Sequence, residues 1–158
     1  MKGRADRRDP PIPGQSGHFG REEGGDSGGA HHAVRVEDVL ARRALVGDWN
    51  IAPENDDVWD MAVFSHSTHV SPPERAAFRA VVEAGYADVV RPHTPGPGVY
   101  TYWDYTKLRF PRREGMRIDF VLGSPALTRR VSGARIDREE RKGKGASDHA
   151  PVIVELTD

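Results

Sequence analysis

The chain contains no cysteine, so it has neither a disulfide framework nor a thiolate metal site. No apolar run approaches the roughly 18–20 residues of a membrane span. Positive charges near the N-terminus are not followed by an apolar stretch, which argues against a secretory signal. These absences predict a soluble cytoplasmic protein with no membrane partner. An excess of one charge is lacking too. The formal net charge is −1 over 158 residues, so no global basic field advertises nucleic acid. Basic residues gather only locally, over Lys107 to Arg117 and Arg138 to Lys144, and such runs are more often solvated faces than phosphate contacts.

Apolar side chains are also scarce at one end. Residues 1–33 are rich in Gly, Arg, Asp and Pro and offer little beyond Ile12 and Phe19. Such a stretch cannot bury enough surface to offset an ordering cost of roughly 1–2 kcal/mol per residue. We read it as a disordered Gly/Arg-rich leader, leaving residues 34–158 as the folded domain.

Within that domain, strand and helix patterns alternate, which predicts an α/β class. Val36 to Arg43 reads as a short helix or helix end, and Arg43 to Gly47 as a buried strand. Ser71-Pro72-Pro73-Glu74 has the form of a capping box opening a helix over residues 72–85. Phe78, Val81 and Val82 give it helical spacing, and Gly85 stops it. Residues 99–105 alternate as an aromatic strand, with Tyr100 and Tyr102 on one face and Thr101 and Trp103 on the other. Further strands are predicted at Arg117 to Leu122, Gly133 to Glu139 and Pro151 to Leu156. A short helix capped by Ser124 fits residues 124–130.

The chemistry concentrates at strand ends. Gly47-Asp48-Trp49-Asn50 closes one apolar run, and Ser147-Asp148-His149 precedes another. Between them Asp119 sits inside the apolar strand Ile118-Asp119-Phe120. A buried acid is costly without a partner, so Asp119 is either paired to a basic residue or functional. Asp48 and Asn50, two positions apart, would face one side if the strand continued that far. Acid, amide and imidazole together suit metal-assisted attack on a phosphodiester, since magnesium takes oxygen ligands and keeps several waters. Each motif alone has a plainer reading as a strand cap or a turn.

Four stretches taken in order are more specific. They are residues 47–53 (Gly47-Asp48-Trp49-Asn50 onward), Tyr100 to Tyr105, Gly115 to Phe120, and Ser147 to Val152. With them the chain resembles bacterial exodeoxyribonuclease III, of the endonuclease/exonuclease/phosphatase superfamily with the DNase I-like fold. The resemblance implies a DNA-repair nuclease that hydrolyses phosphodiesters with Mg2+, or Mn2+ as the alternative. It would act on double-stranded DNA as a 3′–5′ exonuclease or an abasic-site endonuclease. It makes Asp48, Asn50, Asp119 and His149 the catalytic set, with Asp119 supporting the site from behind. It makes Asp48, Asn50, Asp148 and His149 metal ligands, or pairs Asp148 with His149. Tyr102, Met116 and Ile118 would line a pocket for a base-free sugar, with Trp103 and Arg117 beside the DNA. A phosphoinositide or sphingomyelin phosphodiester fits these residues less well.

The resemblance also implies something missing. The family domain is two packed sheets flanked by helices, built from two similar halves. The first half supplies an early-strand Asn, a metal-binding Glu and a Tyr near the phosphate. Here asparagine occurs only at Asn50 and Asn55, no tyrosine precedes Tyr86, and Glu22, Glu23 and Glu37 lie in no apolar strand. The expectation is therefore a partial DNase I-like β-sandwich with its N-terminal half missing. Its activity would be impaired unless a separate half or self-association completes it. The alternative is a catalytically silent fragment or a DNA-binding remnant.

Overall fold

A computed structural model describes residues 41–158. The expected leader and most of the expected Val36–Arg43 helix lie outside the described residues. Among the described residues, five strands form two antiparallel sheets. The first has β1 (Ala44–Asp48), β3 (Asp119–Gly123) and β2 (Ala87–Asp88), with β3 in the middle. The second pairs β4 (Val131–Ile136) with β5 (Val152–Leu156). Helices α1 (Met61–Phe64), α2 (Pro72–Glu83), α3 (Arg109–Arg112) and α4 (Pro125–Thr128) fall between the strands. Among the described residues no helix is long and apolar enough to cross a membrane.

The middle strand organises the packing. Successive residues of a strand face opposite sides, and β3 uses both. Phe120 and Leu122 pack on Phe78 of α2, together with Trp49, Ile51, Val81 and Tyr86. Val121 faces the other way and meets Val89 and Val90, backed by Val131, Ala134, Ile136, Val152 and Val154 of the second sheet. The two sheets thus share one apolar layer. The helix expected at 72–85 is α2, although the Ser71 hydroxyl makes no capping hydrogen bond. Pro72 and Pro73 bring no amide hydrogens, so the first turn has fewer donors to satisfy.

Two expectations are corrected. The strand β1 is exposed rather than buried: it lies at a sheet edge, and Val46 is 68% exposed. Residues 99–105 do not form a strand. Tyr102 instead makes isolated bridges to Met116 on one side and His149 on the other. The alternation fails because Tyr100 and Trp103 both turn inward, ring centroids 6.3 Å apart, into one cluster with Ala150.

A buried ionic network ties three segments to β3. Asp57, in the short 3-10 turn Asn55–Asp57, is 0% exposed. Its carboxylate pairs with Arg91 and with Arg117 Nε, the latter at 2.6 Å. Arg117 reaches on to Asp88 of β2 through Nη1, and its guanidinium lies 4.5 Å above the Phe120 ring. The backbone joins in, with the Arg117 amide donating to the Asp57 carbonyl at 2.8 Å. Burial works to lower the Arg117 pKa, but the hydrogen bonds and charges of Asp57 and Asp88 outweigh it and hold the pKa above its ordinary value. Arg117 therefore stays a cation, and two carboxylates depend on it. Replacing it with Ala is expected to destabilise the fold by about 3–5 kcal/mol, because the buried Asp57 is left with Arg91 alone and the half-buried Asp88 loses its ion-pair partner. Urea unfolding measures this, and Arg117→Lys should restore little, since an ammonium cannot reproduce the guanidinium fork. Wild-type stability in Arg117→Ala would refute this role.

Candidate active site

The register of β1 on β3 sets Asp48 directly opposite Asp119. Opposed residues in an antiparallel pair share a face, and two like charges there repel. Between them comes His149. Its Nδ1 lies 2.9 Å from Asp119 Oδ2, and its Nε2 lies 3.9 Å from Asp48 Oδ2. A carboxylate only accepts, so the imidazole donates from Nδ1 to Asp119 and turns Nε2 toward Asp48. The three residues each present one ligand atom, all within 4.8 Å of one another.

Asp48 and Asn50 do converge, but not by strand alternation, because β1 ends at Asp48. Asn50 takes a left-handed conformation, φ 52°, which Asn tolerates better than most residues. Its amide then donates to Asp48 Oδ1 at 2.9 Å and its Nδ2 to Asp48 Oδ2 at 3.2 Å. Both oxygens of Asp48 are oriented by one neighbour, and among the described residues no donor occupies Asn50 Oδ1. The intervening amide, that of Trp49, donates to the Ile118 carbonyl at 2.9 Å and keeps this turn against the run-in to β3.

The segment Tyr100 to Trp103 holds the site together from the other side. The Tyr102 and Met116 backbones exchange two hydrogen bonds of 2.9 Å. The Ala150 amide donates to the Thr101 carbonyl at 2.7 Å, and the Trp103 amide donates to the Asp148 carbonyl at 2.9 Å. Thr101, fully buried, accepts the Ile118 and Asp119 amides on Oγ1, each at 3.1 Å. Gly115 makes this packing possible: a Cβ there would fall 2.5 Å from Trp103 Nε1 and 2.8 Å from Tyr100 Cβ.

A cavity of about 330 Å³ opens beside these groups. Asp48, Asn50, Tyr102, Met116, Ile118 and His149 line it. Burial, then the charges of Asp104 and Asp148, raise the Tyr102 phenol above its ordinary value, so it remains a hydrogen-bond donor at neutral pH. Trp59, Phe64, His69, Asp104, Arg109 and Glu114 also line it. Sequence reading missed those six, which come from loops and short helices and share no recognisable spacing.

Three assignments change. Trp103 is 1% exposed, packed among Tyr100, Ala150 and Phe110, so its ring faces no ligand. Arg117, 2% exposed, is spent on the buried network. The partner of His149 is Asp119 rather than Asp148, which stands outside the three-residue group. Other cations of the two basic runs are also engaged. Arg109 and Arg112 pair with Glu114, and Arg141 donates to the Trp103 carbonyl at 2.9 Å.

These features have known counterparts. Residues 11–149 match the Endonuclease/Exonuclease/phosphatase family, and the chain belongs to that family. The match begins inside the stretch read as a leader. Among curated proteins, an exodeoxyribonuclease of Bacillus subtilis is 32% identical over 109 residues, which cover 68% of this chain and 42% of that protein. The DNA repair nuclease APEX1 of Danio rerio is 30% identical over 119 residues, covering 73% and 37%. A variant of the Neisseria 3′ phosphatase NExo, solved with a product DNA hairpin, superposes with a TM-score of 0.71 at 36% identity, covering 77% of this chain and 49% of that one. An AP endonuclease from Archaeoglobus fulgidus gives 0.69 at 30% identity, covering 73% and 45%. The fold is thus the DNase I-like fold in part, and the chain spans less than half the length of each of these relatives.

The Asp119 contact fixes one His149 tautomer. In imidazole ¹⁵N spectra, His149 should appear protonated at Nδ1, and Asp119→Ala should shift it toward the Nε2-protonated form. Unchanged His149 resonances in that variant would show that the contact does not set the tautomer.

Proposed function

We propose that this chain carries the phosphodiester-cleaving site of a Mg2+-dependent DNA-repair nuclease of the exodeoxyribonuclease III type. Its substrate would be double-stranded DNA, cut as a 3′–5′ exonuclease or at abasic sites, in the cytoplasm. The observation that carries this reading is the opposed Asp48–Asp119 pair with His149 between them, ligand atoms within 4.8 Å, beside a cavity with an apolar wall. The names of the relatives support DNA as the substrate class.

The residues fit a hard divalent cation, which takes oxygen ligands. Asp48 and Asn50 Oδ1 supply such oxygens, with His149 and Asp119 adjoining. When bound, the ion supplies Lewis-acid charge to the phosphate and to the leaving oxygen. Asp48, with both oxygens steered by Asn50, orients the attacking water and takes its proton. His149 offsets the charge that develops on the phosphate, and Asp119 positions its ring. Asp148 acts as a further acid near the ion. Tyr102, Met116 and Ile118 form a wall that admits a sugar without its base, and extrusion costs least where the base is already absent.

The test is cleavage of duplex DNA with one abasic site and a recessed 3′ end, with Mg2+ or Mn2+ added. Asp48→Ala should lower the rate about 10²–10⁴-fold, the usual worth of a positioned general base. His149→Ala should fall in the same range. No cleavage by folded wild-type chain with either metal would favour the catalytically silent reading. Undiminished cleavage by Asp48→Ala would place the chemistry elsewhere.

A further inference from the structure

His69 belongs to none of the four matching motifs, yet it lines the same cavity as Asp48, Asn50 and His149. It sits in the short 3-10 turn Thr68–Val70 and is half-buried. Two contacts hold it. Its carbonyl accepts the Ala52 amide at 2.8 Å, which fastens it to the chain just after Asn50. Its Nδ1 lies 2.6 Å from the Ser67 hydroxyl. A ring engaged at Nδ1 has Nε2 as its remaining polar atom.

The charges around it give that atom a use. A phosphate entering this cavity meets the carboxylates of Asp48 and Asp104, while that of Glu114 is already paired with Arg109 and Arg112. Something must offset them. Arg109 is already bound to Glu114 at 2.5 Å and lies 5.0 Å above the Trp59 ring. The His149 ring is held by Asp119. The His69 ring, among the described residues, is held by a neutral hydroxyl, so its donor is not committed to a carboxylate.

We propose that His69 binds a phosphate of the nucleic-acid strand in this cavity, donating from Nε2 to a non-bridging oxygen, with Ser67 positioning the ring. The inference rests on the nuclease reading above and adds a binding residue to it. In this arrangement Ser67 donates its hydroxyl hydrogen to Nδ1, which leaves the ring hydrogen on Nε2.

Binding can be read without turnover, by fluorescence anisotropy of a labelled abasic duplex in EDTA. His69→Ala should weaken binding about tenfold or more, the worth of one hydrogen bond to a charged group. His69→Gln, which keeps a donor, should recover part of the loss, and Ser67→Ala should lie between. With Mg2+ present, His69→Ala should raise KM while kcat changes only a few-fold, a split that a purely structural role would not give. If circular dichroism shows His69→Ala unfolded, His69→Gln and Ser67→Ala decide. Wild-type affinity in the folded variants, from a wild-type chain that binds DNA, would overturn the proposal and leave the nuclease reading standing. A wild-type chain that binds no DNA would overturn both.

Discussion

Arg117 enters the interior as a cation with carboxylates on two sides, and the rest of the site is built on that constraint. A guanidinium cannot shed its charge, so Asp57 and Asp88 must come to it. Asp57 arrives from the turn after Asn50, and Asp88 from β2. Arg91 joins on the same Asp57 oxygen that Arg117 uses. The residues on either side of Arg117 are thereby held: Met116 pairs with Tyr102, and Ile118 leads into β3. Two residues further on, Asp119 stands opposite Asp48. A single buried charge thus sets where the candidate catalytic acids meet.

The opposed acids show how the fold uses repulsion. Two carboxylates facing one another across a strand pair raise the energy of the folded chain unless a positive or donor group lies between them. His149 supplies the donor from the loop before β5, with Nδ1 hydrogen-bonded to Asp119 and Nε2 3.9 Å from Asp48, beyond hydrogen-bond reach. Its position depends on backbone hydrogen bonds made by the Tyr100–Trp103 segment to residues 148 and 150. Thr101 completes the frame by taking two amides at the start of β3. The site is therefore a junction of several chain segments rather than the end of one element.

Much of the fold was legible because local rules agreed. The run Phe78, Val81, Val82 with prolines at its start forms α2, and Ser124 before Pro125 opens α4 with its hydroxyl accepting the Leu127 amide. The apolar run at 119–123 forms a central strand, where both faces are covered. The alternating aromatic segment misled because periodicity cannot distinguish a strand from a chain that turns two rings into one cluster. The family resemblance put Trp103 and Arg117 beside the DNA, when the first fills the core and the second closes a network between residues far apart in the chain.

By itself, the sequence determined the inventory: Asp48 with Asn50, Asp119 inside an apolar strand, Asp148 beside His149, and no cysteine to suggest a different metal chemistry. These are properties of residue type and spacing, and local backbone rules are enough to read them. Only the tertiary structure decided the pairing: that His149 turns to Asp119, that Asn50 reaches Asp48 through a left-handed turn, and that His69 faces the same cavity. Most of these choices depend on distances between segments far apart in the chain, whose closure no local rule fixes. They follow from which buried charges and amides must find partners at once, and no local pattern encodes that competition.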